Sequence, residues 1–264
     1  MTTAALPVVL VHGLRSSGTM WRVQREMLEG LGVPVAVPDL PGHGRRMGEA
    51  FRVVTAVEAV EDAVAGLGGR ALVVGLSLGG YVALAHAARH PGSVAGVVAA
   101  ACSTRPLRPL VAGWGLLARG IARLPDRGEA LNRWAVERVL PPEAAHDAGA
   151  GGFALDVVGD ALAEVGSLRP VEDLAALQVP VWIVNGRFDH FRGEERRFVR
   201  STADARLRVV RRSTHLVSLV APVAVNRVVL EALEELGGLP PVPGDAPART
   251  ARVLDAVGVP GGTG

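Results

Sequence analysis

The sequence has a single cysteine and no lysine. Cys102, alone among 264 residues, excludes an intramolecular disulfide and any cysteine-built zinc cluster. All 28 cationic side chains are arginine against 26 acidic ones, so the formal charge is only +2 and calls for no strongly charged partner. Arginine in place of lysine, with abundant alanine, glycine and valine, reads as the codon bias of a GC-rich bacterial genome. Aromatic residues are scarce: four tryptophans, five phenylalanines and one tyrosine leave little to stack on bases. The arginines are also scattered, so no nucleic-acid partner is expected. Long apolar runs are missing too. Val8–Val11 is too short for a signal peptide or a span, and Leu107–Leu124 is interrupted by Arg108, Arg119 and Arg123. That stretch reads as a buried or amphipathic helix, and the expectation is a cytoplasmic protein without a membrane partner. No ligand cluster or dinucleotide fingerprint is present, so neither a metal nor an organic cofactor is expected.

Apolar residues make up 49% of the chain and charged ones 20%, which supports a substantial core and excludes wholesale disorder. Short runs of valine, isoleucine, leucine and alanine alternate with segments of helical period, the pattern of a parallel sheet covered on both faces. The predicted strands are Val8–Val11, Val35–Val37, Ala71–Val74, Val94–Ala100, Val181–Val184 and Leu207–Val210. Helices are predicted at Trp21–Leu31, Val53–Leu67, Leu78–Arg89, Glu194–Ser201 and Ala221–Leu236. The interval 103–179 breaks this rhythm. It contains helical patterns at Leu107–Leu124, Glu129–Leu140 and Phe153–Leu168, separated by Pro125, Pro141-Pro142 and Gly149–Gly152, and reads as an inserted helical cap. The core is then 1–102 with 180–236. From Gly237 onward a proline- and glycine-rich tail reads as disordered, with a helical turn near Arg252–Val257.

The decisive segment is Val73-Val74-Gly75-Leu76-Ser77-Leu78-Gly79-Gly80, where a strand runs through G-x-S-x-G into a helix. That is the context of a nucleophile elbow, in which the serine sits on a strained turn and small residues must flank it two positions away. A helix starting at Leu78 aims its free amides and positive dipole end at the space above Ser77. His12-Gly13 closes the first strand, and in this architecture the next amide, that of Leu14, is the second oxyanion donor beside that of Leu78.

With these segments in view, the chain resembles the α/β-hydrolase superfamily over about Pro7–Leu236. The resemblance rests on Val9-Leu10-Val11-His12-Gly13, Asp39-Leu40-Pro41-Gly42-His43-Gly44, Gly75-Leu76-Ser77-Leu78-Gly79-Gly80, and Gly186-Arg187-Phe188-Asp189 together with Ser213-Thr214-His215. It implies an α/β fold with a mostly parallel sheet, helices on both faces and an inserted cap. It also implies that Asp39 and His43 shape a loop rather than take part in chemistry.

A serine hydroxyl needs a histidine base, and the histidine needs a carboxylate that fixes its tautomer. Of seven histidines, His12 belongs to the oxyanion loop, His86 and His90 follow the elbow helix away from the strand ends, and His146 lies in the cap. His215 follows the last strand at the carboxyl edge of the sheet, where sites collect in open α/β folds. Asp189 follows the fifth strand at the same edge and completes the order serine, acid, histidine. Asp204 is its rival but precedes the last strand, at the opposite edge. The alternative for Asp189 is a cap for the segment starting at Phe191.

Departures from the family pattern shape the expectation. Starting at Val8–Val11, the sheet should have six core strands rather than eight, as in the methylesterase and hydroxynitrile-lyase branch. The elbow carries Leu76 before the serine, which makes the pocket floor dry. Ser77 argues against haloalkane dehalogenases and epoxide hydrolases, which need an aspartate there. The expected reaction is acyl transfer to water from an ester, thioester or lactone of small to medium apolar character, with a carrier- or coenzyme A-linked acyl group among the candidates. A lyase, carbon–carbon-bond hydrolase or cofactor-free oxygenase using the same triad, and a non-enzymatic receptor, are the alternatives. Trp114, Trp134, Phe153 and His190 are the candidate pocket residues, with plain core packing as the alternative for the cap aromatics. Arg105 and Arg108 read as solvated, or as steering an anionic group. Oligomeric state is not legible.

Overall fold

In the computed structural model, which describes residues 5–240, six strands form one sheet: β1 (Val8–Val11), β2 (Val35–Ala36), β3 (Ala71–Leu76), β4 (Val94–Ala100), β5 (Val181–Gly186) and β6 (Ala205–Val210). Their order is β2-β1-β3-β4-β5-β6, and every neighbouring pair is parallel. The helices, in chain order, are α1 (Arg22–Gly30), α2 (Val53–Gly66), α3 (Leu78–Arg89), α4 (Arg108–Ile121), α5 (Glu129–Val139), α6 (Pro142–Gly149), α7 (Val158–Val165), α8 (Pro170–Ala176), α9 (Glu195–Arg200), α10 (Val217–Val220) and α11 (Pro222–Glu235).

The strand sequences are continuous apolar runs because both sheet faces are covered. Val9, Val11, Val73, Val97, Ala99 and Ile183 face a core layer shared with α2, α3, Leu174 of α8 and Phe198 of α9. Their neighbours Val8, Leu10, Leu72, Val74, Val98, Trp182 and Val184 face a second layer built with Met27 and Leu28 of α1 and Val225, Val229 and Leu233 of α11. Every residue of β3 and β4 is buried. Each fully buried leucine or valine is worth about 1.5–3 kcal/mol, so the centre of the sheet is its most stable part. Between them these strands fix where β3 ends, and the residue that follows its last one, Leu76, is Ser77.

Strands and sheet-covering helices fall where the sequence places them, with small shifts at their ends. β2 stops one residue early, and β3, β5 and β6 each gain two residues. The interval between β4 and β5 holds more helices than its pattern suggests. Pro142, read as part of a break, instead opens α6 at its first position, and Pro170 opens α8 in the same way, where a proline loses no helical hydrogen bond. The helix expected over Phe153–Leu168 is confined to Val158–Val165, because residues 151–155 follow the loop after β1: the Ala154 amide donates to the Arg15 carbonyl at 3.1 Å. α4 is not buried: Trp114, Leu116 and Leu117 are 42%, 63% and 53% exposed. α8 packs against α3 and α9 within the sheet-covering layer, with Leu174 fully buried. Residues 237–240 lie against the start of the chain, where the Leu6 amide donates to the Gly238 carbonyl at 2.8 Å. The rest of the tail, including Arg252–Val257, is outside the described residues. Among the described residues, no helix is long and apolar enough to cross a membrane.

Candidate active site

β3 delivers Ser77 at φ 55°, ψ −114°, a left-side conformation that costs a non-glycine residue about 1–3 kcal/mol. The surroundings hold it there. The Ser77 amide donates to the Ala100 carbonyl of β4 at 2.8 Å, and its carbonyl accepts from the Tyr81 amide at 3.1 Å. A Cβ at Gly75 would run into the Gly79 carbonyl, and one at Gly79 into the Val11 and His12 carbonyls. The G-x-S-x-G pattern is thus a packing requirement where β3, α3 and β1 cross.

Two other strand ends complete the arrangement. Asp189 lies beyond β5 and His215 beyond β6, and a Cβ at Gly186 would strike the Thr214 carbonyl, so the two loops touch. His215 Nδ1 donates to Asp189 Oδ1 at 3.0 Å, and His215 Nε2 lies 2.9 Å from Ser77 Oγ. A carboxylate only accepts, so Nδ1 carries the hydrogen and Nε2 is left to accept from the Ser77 hydroxyl. Asp189 Oδ1 also accepts from the Phe191 amide at 2.8 Å, whereas Oδ2 is buried with no partner among the described residues. Asp189 is therefore both cap and histidine partner. Burial pushes its carboxyl up, but the His215 hydrogen bond and charge and the Phe191 amide outweigh this and hold it below the usual carboxylate range. Asp204 precedes β6 at the opposite end of the sheet, paired with Arg206.

The loop after β1 lies beside the serine: a Cβ at Gly13 would stand 3.7 Å from Ser77 Cβ. Leu14 is half-buried against the core and Leu78 is buried at the start of α3. Among the described residues neither amide donates a hydrogen bond, as expected for Leu78 in the first turn of a helix. His12 fixes this loop. It is fully buried, accepts from the Leu40 amide at 2.9 Å through Nε2, and so donates through Nδ1 to the Gly13 carbonyl at 2.9 Å. Burial, then the nearby His43, lower its pKa from 6.5 to about 4. Asp39 ties the same loop to the one after β2, accepting from the Gly18 amide at 2.8 Å and the Arg45 amide at 3.0 Å.

Aromatic rings line one side of His215. Phe191 is 4.9 Å and His190 5.0 Å from it, centroid to centroid, and Trp114 of α4 lies 6.2 Å beyond His190. Burial first, then His215, lower the His190 pKa. Trp134 and Phe153 are not brought to this place. Trp134 is 63% exposed on α5, and Phe153 lines a separate cleft of about 1000 Å³ with Met47, Val136 and His146. A second cleft, of about 930 Å³ beside Arg22 and Asp147, likewise excludes Ser77, Asp189 and His215. Arg105 is engaged by Glu194, through its amide at 2.8 Å and its Nε at 2.9 Å, which removes it as a free anion-steering group. Asp189, His190 and His215 bring ligand-type atoms within 4.8 Å of one another. Asp189 Oδ1 and both His215 nitrogens are already committed to Ser77, Phe191 and each other, which leaves His190 and the buried Asp189 Oδ2 as the uncommitted donors of this group, fewer than a metal centre takes.

Two neighbours escape the sequence reading. Tyr81, buried one helical turn after Ser77, donates its hydroxyl to the Thr104 carbonyl at 2.5 Å, and Thr104 Oγ1 donates to the Phe191 carbonyl at 2.8 Å. The i, i+4 spacing from Ser77 to Tyr81 was the available signal. Nothing in sequence marks Thr104.

A profile described as "Alpha/beta hydrolase family" matches residues 8–228. The chain is 40% identical over 101 residues to the pimeloyl-(acyl-carrier protein) methyl ester esterase of Neisseria meningitidis, covering 36% of each. It is 38% identical over 97 residues to Lipase LipV of Mycobacterium tuberculosis, covering 34% of this chain and 35% of that one. These alignments span about a third of the length of the curated relatives. Among solved structures, an esterase from Thermogutta terrifontis is 26% identical, with a TM-score of 0.71 over 89% of this chain and 92% of that chain.

Proposed function

This chain belongs to the alpha/beta hydrolase family, and on that footing we propose that it is a serine hydrolase that cleaves an ester or thioester of a small to medium apolar substrate through an acyl-enzyme. The observation that carries the reading is the continuous line Ser77 Oγ, His215 Nε2, His215 Nδ1, Asp189 Oδ1, with links of 2.9 and 3.0 Å. His215 takes the Ser77 proton as Oγ attacks the carbonyl carbon. Asp189 stabilises the imidazolium that forms, and the amides of Leu14 and Leu78 hold the oxyanion. His215 returns the proton to the leaving alcohol or thiol. It then deprotonates water, which releases the acid and restores Ser77.

The substrate's apolar part lies against Trp114, His190 and Phe191, whose rings extend outward from His215. A carrier-linked acyl ester is supported by the esterase of N. meningitidis, whose name specifies such a substrate. The test is a panel of aryl esters and acyl thioesters of increasing acyl length, turned over by wild type and Ser77→Ala side by side, with fluorophosphonate labelling. Expected are a length preference, loss of turnover in Ser77→Ala by roughly 10⁴-fold or more, and a single adduct on Ser77. Absence of both turnover and adduct would overturn the reading.

A further inference from the structure

The contacts around the triad close on themselves. From Ser77 the chain of hydrogen bonds runs to Tyr81, whose amide donates to the Ser77 carbonyl at 3.1 Å. It passes from the Tyr81 hydroxyl to the Thr104 carbonyl, from Thr104 Oγ1 to the Phe191 carbonyl, and from the Phe191 amide to Asp189 Oδ1. Through His215 it returns to Ser77 Oγ. We propose that Tyr81 and Thr104 are positioning residues that hold the Asp189 carboxylate in register with His215 by holding the backbone that follows Phe191 Cα, next to the amide that binds Asp189. The proposal rests on the reading of Ser77, Asp189 and His215 as an acyl-transfer triad.

The reason these two residues matter lies in what Asp189 lacks. Its Oδ2 has no partner among the described residues, so rotation of the carboxylate is restrained only at Oδ1, by His215 and by the Phe191 amide. That amide can serve as a fixed post only if the backbone on both sides of the Phe191 Cα is held. Thr104 Oγ1 supplies the restraint from the opposite end of residue 191, across the gap between the segment leaving β4 and the turn after β5. Thr104 is fixed in turn by Tyr81, which is 4% exposed; burial raises its pKa well above the ordinary value, so its hydroxyl stays protonated and must donate. Neither residue touches the reacting atoms. Both act by restricting the geometry in which the imidazolium meets its counter-charge, and loss of such positioning costs rate rather than binding.

The test uses Thr104→Val, which replaces the hydroxyl by a methyl group of similar volume, with Thr104→Ser as the conservative variant and Tyr81→Phe as an independent break in the circuit. The Glu194 amide still donates to the Ser103 carbonyl at 3.0 Å and Arg105 still binds Glu194, so the two segments stay joined in each variant. For Thr104→Val, kcat on a short aryl ester should fall about tenfold with KM changed less than about twofold. The downfield proton NMR signal of His215 Nδ1–H, which is hydrogen-bonded to Asp189 Oδ1, should move upfield, because its carboxylate partner is less well placed. Thr104→Ser should restore both values, and Tyr81→Phe should shift them in the same direction as Thr104→Val. An unchanged Nδ1–H signal in both Thr104→Val and Tyr81→Phe, or a shift that Thr104→Ser leaves in place, overturns the proposal. The NMR signal needs no turnover, so wild-type protein without activity or Ser77 adduct would remove the acyl-transfer reading while the Nδ1–H signal still decides the circuit.

Discussion

Acid should weaken this fold through His12 at pH values where its carboxylates are still ionised. The His12 side chain is fully buried, with Nε2 accepting from the Leu40 amide and the His43 ring 4.9 Å away. A second ring proton would face a donor, in a fully buried site beside another imidazole. These features lower its pKa from 6.5 to about 4. The unfolded chain therefore takes up a proton near pH 6.5 that the folded chain refuses until about pH 4, so stability is lost as pH falls through that window. The slope is about 1.4 kcal/mol per pH unit and the whole window about 3 kcal/mol, a large part of a typical 5–15 kcal/mol. His43 and His86, whose pKa values burial also lowers, add losses of the same sign. His12→Gln isolates the effect, because an amide can donate and accept but does not titrate. Urea unfolding followed by tryptophan fluorescence at pH 7, 6 and 5 should give a stability that falls more steeply in wild type than in His12→Gln, by about 1 kcal/mol per pH unit between pH 6 and 5. Equal slopes would refute the argument, whatever the difference in absolute stability.

Gly79→Ala would force a Cβ into the Val11 and His12 carbonyls, which belong to backbone that cannot rotate away. A loss of about 3 kcal/mol is expected, seen as a fall in Tm of roughly 10 °C by calorimetry, and an unchanged Tm would contradict the packing described. Cys102 is buried beyond the end of β4, and burial, then the Asp189 charge, push its thiol well up. Native protein should be inert to a thiol-specific disulfide reagent and should react with one equivalent on unfolding in urea; stoichiometric reaction of the native state would show the site to be open.

The sheet was legible because its central strands are buried on both faces, and uninterrupted valine and alanine leave little else for such runs to form. The neighbourhood of Ser77, Asp189 and His215 was legible for a related reason: each follows a strand, and parallel strands bring all such ends to one edge. What sequence could not show was the packing of the interval between β4 and β5. There, proline marks the beginning of a helix as readily as the end of one, and Trp134 and Phe153 have the same helical spacing whether they face the serine or another cleft. Thr104 was invisible because its part is played by one hydroxyl meeting a carbonyl 87 residues away. Trp114 joins the rings near His215 while Trp134 does not, a difference set by where α4 and α5 rest rather than by their composition.

The strand order has a consequence for how the molecule is made. Ser77 and His215 are separated by 138 residues and meet only when β3, β4, β5 and β6 are aligned side by side. Each parallel neighbour requires a crossover, so these contacts are among the most non-local in the chain and are slow to form. The first half of the chain holds the elbow but neither His215 nor Asp189. A nascent or truncated product can therefore expose a serine without a working nucleophile. On refolding from urea, the ester turnover proposed above would return only with completion of the far side of the sheet, later than signals from Trp21 or from the helices.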